Sequence, residues 1–213
     1  QSVPALAPLL TDKELASWAR IALEAIPGPV ADAALRNALG KLDGRLLVGA
    51  INSIGVRRDV QAVDALVQKL HHTNTDVASA AAVALGHIGG EQVVKVLTQA
   101  LVDAPVGVRS AVAEGCILCA AWSLAHDTTA EAVKLYDTVL QADVPDQRHL
   151  EAIRGAILAR QSAGVPLLIE QLRSEDTKRL GIGLRTAREL PGRDVTEALA
   201  VELDRLSPDR RPL

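Results

Sequence analysis

Phenylalanine and methionine are missing from this chain, and its aromatic side chains are Trp18, Trp122 and Tyr136. Ala, Leu and Val must therefore do nearly all the packing. Such small side chains let helices approach closely, as stacked helical pairs require. So few flat rings also leave little for stacking on bases or sugars. Nothing in the sequence explains why Met and Phe are absent. Cysteine is scarce too: Cys116 and Cys119 are too few for a disulfide-stapled fold and do not decide the compartment. Neither sign of charge dominates, with 23 Lys and Arg against 26 Asp and Glu, a net charge of −3 and a pI near 6.0. A basic footprint is lacking, so no nucleic-acid partner is expected. No apolar run approaches the ~18 residues of a membrane-crossing helix, so no membrane insertion is expected. A secretory leader is not evident either. Gln1 opens the chain in place of Met, as in a mature secreted form, an excised domain or a tag-cleaved product.

What is present is repetition. Hydrophobic residues make up 48% of the 213 positions. Three helical stretches close alike: Ala22-Leu23-Glu24-Ala25-Ile26-Pro27, Ala50-Ile51-Asn52-Ser53-Ile54-Gly55 and Ala84-Leu85-Gly86-His87-Ile88-Gly89. Ile26, Ile54 and Ile88 lie 28 and then 34 residues apart. A unit of that length built from two short helices predicts a stacked solenoid, in which each repeat touches only its neighbours. Further on, Val77, Ser79, Ala80 and Ala84 align with Val108, Ser110, Ala111 and Gly115, and Gly115-Cys116-Ile117-Leu118 with Gly155-Ala156-Ile157-Leu158. The expected fold is all-α: a right-handed α-solenoid of about six helical hairpins in one domain, plus a C-terminal capping helix. The hairpins are placed at residues 4–27, 30–55, 60–89, 91–126, 129–163 and 165–191, and the cap at 195–206. Thr11-Asp12 and Thr73-Asn74-Thr75-Asp76 read as helix N-caps. Val63, Leu66, Val67 and Leu70 form one apolar stripe.

The unit from Asp76 to Gly89 resembles a HEAT repeat, specifically the short bacterial HEAT-like or phycobilisome-lyase-like kind. In that pattern an Asp opens the second helix, Val and Ala pack it, and Leu-Gly-x-Ile-Gly closes it. The stretch from Gly44 to Asp59 looks like a segment of large secreted bacterial proteins that join such repeats to other domains. The resemblance covers nearly the whole chain and weakens after Ala120. It implies a rigid, curved scaffold that binds another protein or domain. A minority of the relatives are lyases acting on tetrapyrrole-bearing proteins, or DNA glycosylases, and no catalytic motif of either kind is found here.

Candidate chemistry is sparse. Cys116 and Cys119 share a helix face but align with the core positions Leu85 and Ile88, so they read as buried structural thiols. His71 and His72 end a helix, where imidazole caps carbonyls. His87, His126 and His149 are scattered across repeats. No metal, cofactor or catalytic set is therefore expected. Arg57-Arg58-Asp59 sits at a turn along the ribbon edge, to salt-bridge with the Asp of the next turn or to reach a ligand. Glu24 and Asn52 occupy equivalent positions of closing helices, and Arg20, Arg45, Arg109, Arg154 and Arg185 recur in second helices. If those helices face inward, the nine residues Arg20, Glu24, Arg45, Asn52, Arg57, Arg58, Arg109, Arg154 and Arg185 are the candidates for a groove suited to acidic side chains of a partner. The competing reading makes them surface charges with local acidic neighbours. Thr177-Lys178-Arg179 and Asp209-Arg210-Arg211 are interrupted by acids and read as a solvated face.

The expected function is a non-catalytic, monomeric scaffold that binds a partner protein or neighbouring domain on its concave face. A HEAT-type enzyme is the first alternative. As a glycosylase it would need a positive groove with aromatic walls, and Trp18, Trp122 and Asp12 are far apart in repeat order. A spacer arm within a larger secreted protein is the second.

Overall fold

The computed structural model of the protein describes residues 2–205. Leu206 of the expected cap and Asp209-Arg210-Arg211 lie outside the described residues. The described part is helical throughout its ordered elements. α1 (Ser2–Leu6) runs on as a 3-10 turn (Ala7–Thr11), followed by α2 (Ala16–Ala25), α3 (Pro29–Ala38) and α4 (Gly44–Arg57). A 3-10 turn (Val60–Ala62) leads into α5 (Val63–Lys69), and then come α6 (Thr75–Ile88), α7 (Glu91–Asp103), α8 (Val106–Ala125), α9 (Thr129–Gln141) and α10 (Asp146–Arg160). A last 3-10 turn (Gln161–Gly164) precedes α11 (Val165–Arg173), α12 (Thr177–Ala187) and α13 (Arg193–Arg205).

Local chemistry sets these boundaries. The Asn74 side chain accepts from the backbone N–H of Asp76 at 2.9 Å and of Val77 at 3.4 Å, capping α6. Asp176 does the same for α12 through Lys178 N at 2.8 Å. Asp12 caps a turn rather than a helix: its carboxylate takes Glu14 N and Leu15 N at 2.8 and 2.9 Å, and α2 begins only at Ala16. Pro29 opens α3 directly after Gly28, whose φ of 96° is open to glycine and strained for other residues.

The even-numbered helices form one row and the odd-numbered helices the other. α4, α6 and α8 pack directly on one another, whereas α3, α5 and α7 scarcely touch. A ribbon joined tightly along one edge bends toward that edge, so the even row is the hollow side. Glycine makes the tight edge possible. A Cβ on Gly86 would stand 2.6 Å from the Gly115 Cα, so at this crossing backbone meets backbone. The α-solenoid is thus built on small residues, as the composition demands.

Two clusters of buried side chains run along the stack. The larger extends from Val3 to Ala159 and holds Leu85, Cys116 and Cys119, all fully buried. The smaller joins Ile153, Ile157, Leu168, Leu190 and Val195 beneath α11–α13.

One expectation is corrected. α8 is a 20-residue helix with a mean hydropathy of 1.3 over its best 18-residue window, long and apolar enough by length and composition to cross a membrane. Counting uninterrupted apolar runs missed it because Arg109 and Glu114 interrupt the run. Its apolarity has a packing cause: α6, α7, α9 and α10 all contact it, and 44% of that window is buried among them.

Candidate functional site

The nine candidate residues separate into distinct places. At the N-terminal end, Arg20 of α2 donates to Gly49 O at 3.0 Å and to Ser53 Oγ at 3.2 Å, and Ser53 donates to Glu24 Oε1 at 2.6 Å. This network ties α2 to α4 and satisfies the fully buried Ser53. Arg45 is exposed and borders a depression of about 490 Å³ shared with Lys13, Ser17, Arg20 and Asp43. Asn52 is exposed on α4.

Arg57 faces inward to the structure. Its guanidinium donates to Leu23 O at 2.8 Å, Glu24 O at 3.0 Å, Ile26 O at 2.7 Å and Gly28 O at 3.1 Å, and it pairs with Asp32. It closes the carbonyl end of α2, where helix geometry leaves acceptors unfilled. The expected bridge to the Asp of the following turn is replaced by one to Asp32 of α3, the partner helix of the same hairpin, while Asp59 pairs with Arg36 instead. Arg58 takes the left-handed conformation (φ 52°) that ends α4, and its side chain is exposed. Arg109 donates to Ala104 O at 3.0 Å and pairs with Asp143 at 2.6 Å across the turn into α10.

Arg154 and Arg185 share a larger groove. It lies on the even row where α8, α10 and α12 stand further apart than α4, α6 and α8 do, and it encloses about 870 Å³. Here α9 packs against both α8 and α10. Ile117, Ala121, Leu150 and Ile182 line the groove with apolar surface, and Lys178, Arg154, Arg185, Asp146, Glu151 and Glu189 with charge. Tyr136 reaches its lining from α9 by lying flat against Gly155, where a Cβ would stand 2.2 Å from the ring. Burial pushes the Tyr136 phenol above its ordinary value, and Arg154 opposes that shift.

Most groove charges are already matched. Arg154 holds Glu189 through both carboxylate oxygens. This hydrogen bonding, with added attraction to Arg154 and Arg185, lowers the Glu189 carboxyl below its usual range. Arg148, just outside, bridges Glu151 at 2.6 Å and also holds Glu114. Lys178 stands 3.6 Å from Asp146. The Arg185 side chain is exposed and, among the described residues, makes no hydrogen bond or ion pair. The sequence singled out Arg154 and Arg185 but missed Tyr136, Lys178 and Glu189. A Tyr one helix away, opposite a glycine, leaves no periodic signal.

The cysteines behave as core. Burial, with the neighbouring thiol for Cys116 and Glu131 for Cys119, pushes both up to about 12, so neither is a thiolate at neutral pH. Trp122 stacks on His126 with ring centroids 3.9 Å apart and fills the space over Gly89, while Trp18 lies on α2. Among the described residues no group of three His, Cys, Asp or Glu is placed to hold a metal ion.

Comparison with known proteins agrees with this architecture. A family model described as HEAT repeats matches residues 33–116. No curated protein matches the sequence. Among solved structures, the complex of CpcE and CpcF of phycocyanin lyase from Nostoc sp. PCC7120 superposes with a TM-score of 0.57 at 23% identity, covering 92% of this chain and 79% of that one. Human deoxyhypusine hydroxylase in complex with glycerol gives 0.53 at 20% identity, covering 96% and 95%. A designed armadillo repeat protein gives 0.51 at 17%, covering 89% and 100%. Identities this low speak for the fold alone. The HEAT-repeat match thus falls on the central hairpins, residues 33–116, and the described residues stack as an α-solenoid like those of the similar structures.

Proposed function

We propose that this protein is a non-catalytic interaction scaffold whose hollow face grips a partner protein or a neighbouring domain. The observation that carries the reading is the groove between α8, α10 and α12: it is open, partly apolar and edged by Arg185, a cation without a described internal partner. An apolar floor with a charged rim is the usual anatomy of a protein-binding patch. The fold also suits the role, because stacked repeats create an extended binding surface. One similar structure is itself a complex of two proteins, CpcE with CpcF.

On this reading the partner sets an acidic side chain against Arg185, beside the Arg154–Glu189 pair. Crosslinking with mass spectrometry on the native assembly identifies the partner and should map contacts to α10 and α12. Arg185→Glu breaks no hydrogen-bonded ion pair and only replaces the attraction to Glu189 with repulsion, so its melt should fall only slightly below that of the parent. Its affinity for the partner should fall at least tenfold, equivalent to about 1.4 kcal/mol. Undiminished binding, or turnover of a small substrate with no protein partner captured, overturns the proposal.

A further inference from the structure

Tyr136 is the chain's single tyrosine. It is 5% exposed, and its hydroxyl makes no hydrogen bond among the described residues. A buried phenol normally finds a partner for its O–H, because the group has given up water. The hydroxyl is not sealed in the core. Among the described residues the enclosed side-chain polar atom without a partner is Gln171 Oε1, whereas Tyr136 lines the groove between α8, α10 and α12. A ring packed in the wall thus presents its oxygen to the groove. Gly155 leaves it the passage, since a Cβ there would collide with the hydroxyl-bearing end of the ring.

Arg154 stands beside the phenol, which feels its charge. The Arg154 Nε and Nη2 donate to the two oxygens of Glu189, and Nη1 makes no hydrogen bond among the described residues. Burial keeps the phenol protonated at neutral pH, so it is a donor. A phenol O–H and a guanidinium N–H in one place, neither with an acceptor, suit a carboxylate oxygen. One turn before Glu189 on α12, Arg185 is a second cation in want of an acid. Leu150 and Ile182 add apolar wall.

We infer that the groove selects an acidic and aliphatic segment of the partner protein: one glutamate or aspartate side chain accepts from Tyr136 Oη and Arg154 Nη1, a second faces Arg185, and an aliphatic side chain beside them packs on Leu150 and Ile182. This rests on the reading of the groove as a protein-binding site and adds Tyr136 as the residue that selects what enters. A chain terminus is the poorer occupant, because it brings one carboxylate to a groove with two places for one.

The test watches Tyr136 directly. The whole protein carries tyrosine labelled at Cζ for NMR, which gives a single resonance because the chain has a single tyrosine. The probe is a short peptide of alternating glutamate and leucine, acetylated and amidated at its ends. It should move that resonance saturably, and the glutamine and leucine counterpart with the same blocked ends should not. Tyr136→Phe keeps the ring on Gly155 and removes the hydroxyl alone. Its melt should equal or exceed that of the parent, and calorimetry should show the glutamate peptide binding it about tenfold more weakly. A resonance that the glutamate peptide never moves overturns the inference, as does equal affinity for the parent and Tyr136→Phe. A clearly lower melt of Tyr136→Phe overturns it too, since the hydroxyl would then be held within the fold. So does a glutamine and leucine peptide with a free C-terminal carboxylate that binds as tightly as the glutamate one, which gives the site to a chain end. Failure of the groove reading is separate: the crosslinked partner then binds Arg185→Glu undiminished. A partner lost by Arg185→Glu and kept in full by Tyr136→Phe leaves the groove standing and removes the role of Tyr136.

Discussion

Arg57 and Arg58 stand side by side in the sequence and do opposite things. The Arg57 side chain is 9% exposed and fills the carbonyl end of α2 while pairing with Asp32, whereas Arg58 projects into solvent. Removing Arg57 strands several acceptors and a carboxylate in a half-dry setting, which costs about 3 kcal/mol. Removing Arg58 leaves no group unpaired and should stay within about 0.5 kcal/mol. Chemical denaturation of Arg57→Ala beside Arg58→Ala checks both values. Equal midpoints would mean that the Arg57 bonds are not formed in solution. The backbone turn explains the division: φ of 52° at Arg58 swings its side chain off the helix that Arg57 still belongs to.

Helices in this molecule depend on how closely they are allowed to meet. At the α6–α8 crossing the obstacle to any side chain is the Gly115 backbone, which cannot swing aside. Gly86→Ala should therefore lower stability by about 1–3 kcal/mol, or prevent folding, although Ala is the better helix former. A thermal melt at or above that of the parent would show the crossing to be looser. α13 depends on charge instead. Arg173 and Arg205 both reach the Glu202 carboxylate, at 2.6 Å and 3.0 Å, and hydrogen bonding from Arg173 leads the causes that lower its pKa. A carboxyl held lower in the folded state than in the unfolded one adds stability that is complete above its ordinary value near 4.5. That stability is lost as acid protonates the group below that range. Protection factors of amides 193–205, corrected for the intrinsic exchange rate, should hence fall as the pH drops below about 4.5, and Glu202→Gln should show the lower protection already at neutral pH.

Taken whole, the stack is not uniform. Its main cluster joins α1 through α10 continuously, while α11–α13 rest on a small separate one. Repeat arrays unfold by units when one interface is weaker than its neighbours. Native-state hydrogen exchange should show α11–α13 opening with a lower free energy than α4–α8. Identical protection along the chain would mean a single cooperative unit. Binding in the groove bridges α8, α10 and α12, so a bound partner should raise protection of the terminal unit most.

Legibility followed the periodicity of the chain. Ala, Leu, Ile and Gly recurring near thirty residues disclosed paired helices in a solenoid, since a core shared only between neighbours imprints its period on the sequence. The core roles of Cys116 and Cys119 were readable for the same reason: they align with Leu85 and Ile88. Arg20, Arg57 and Arg154 were visible as arginines but not as contacts. Which carbonyl or carboxylate a long side chain meets depends on the rotation of one hairpin against the next. That rotation also parts α8, α10 and α12 into a groove and turns Tyr136 and Glu189 toward it, although they are distant in sequence and share no period. The linear order thus determined the repeating fold, and the packing angle between repeats alone decided where a partner has room to bind.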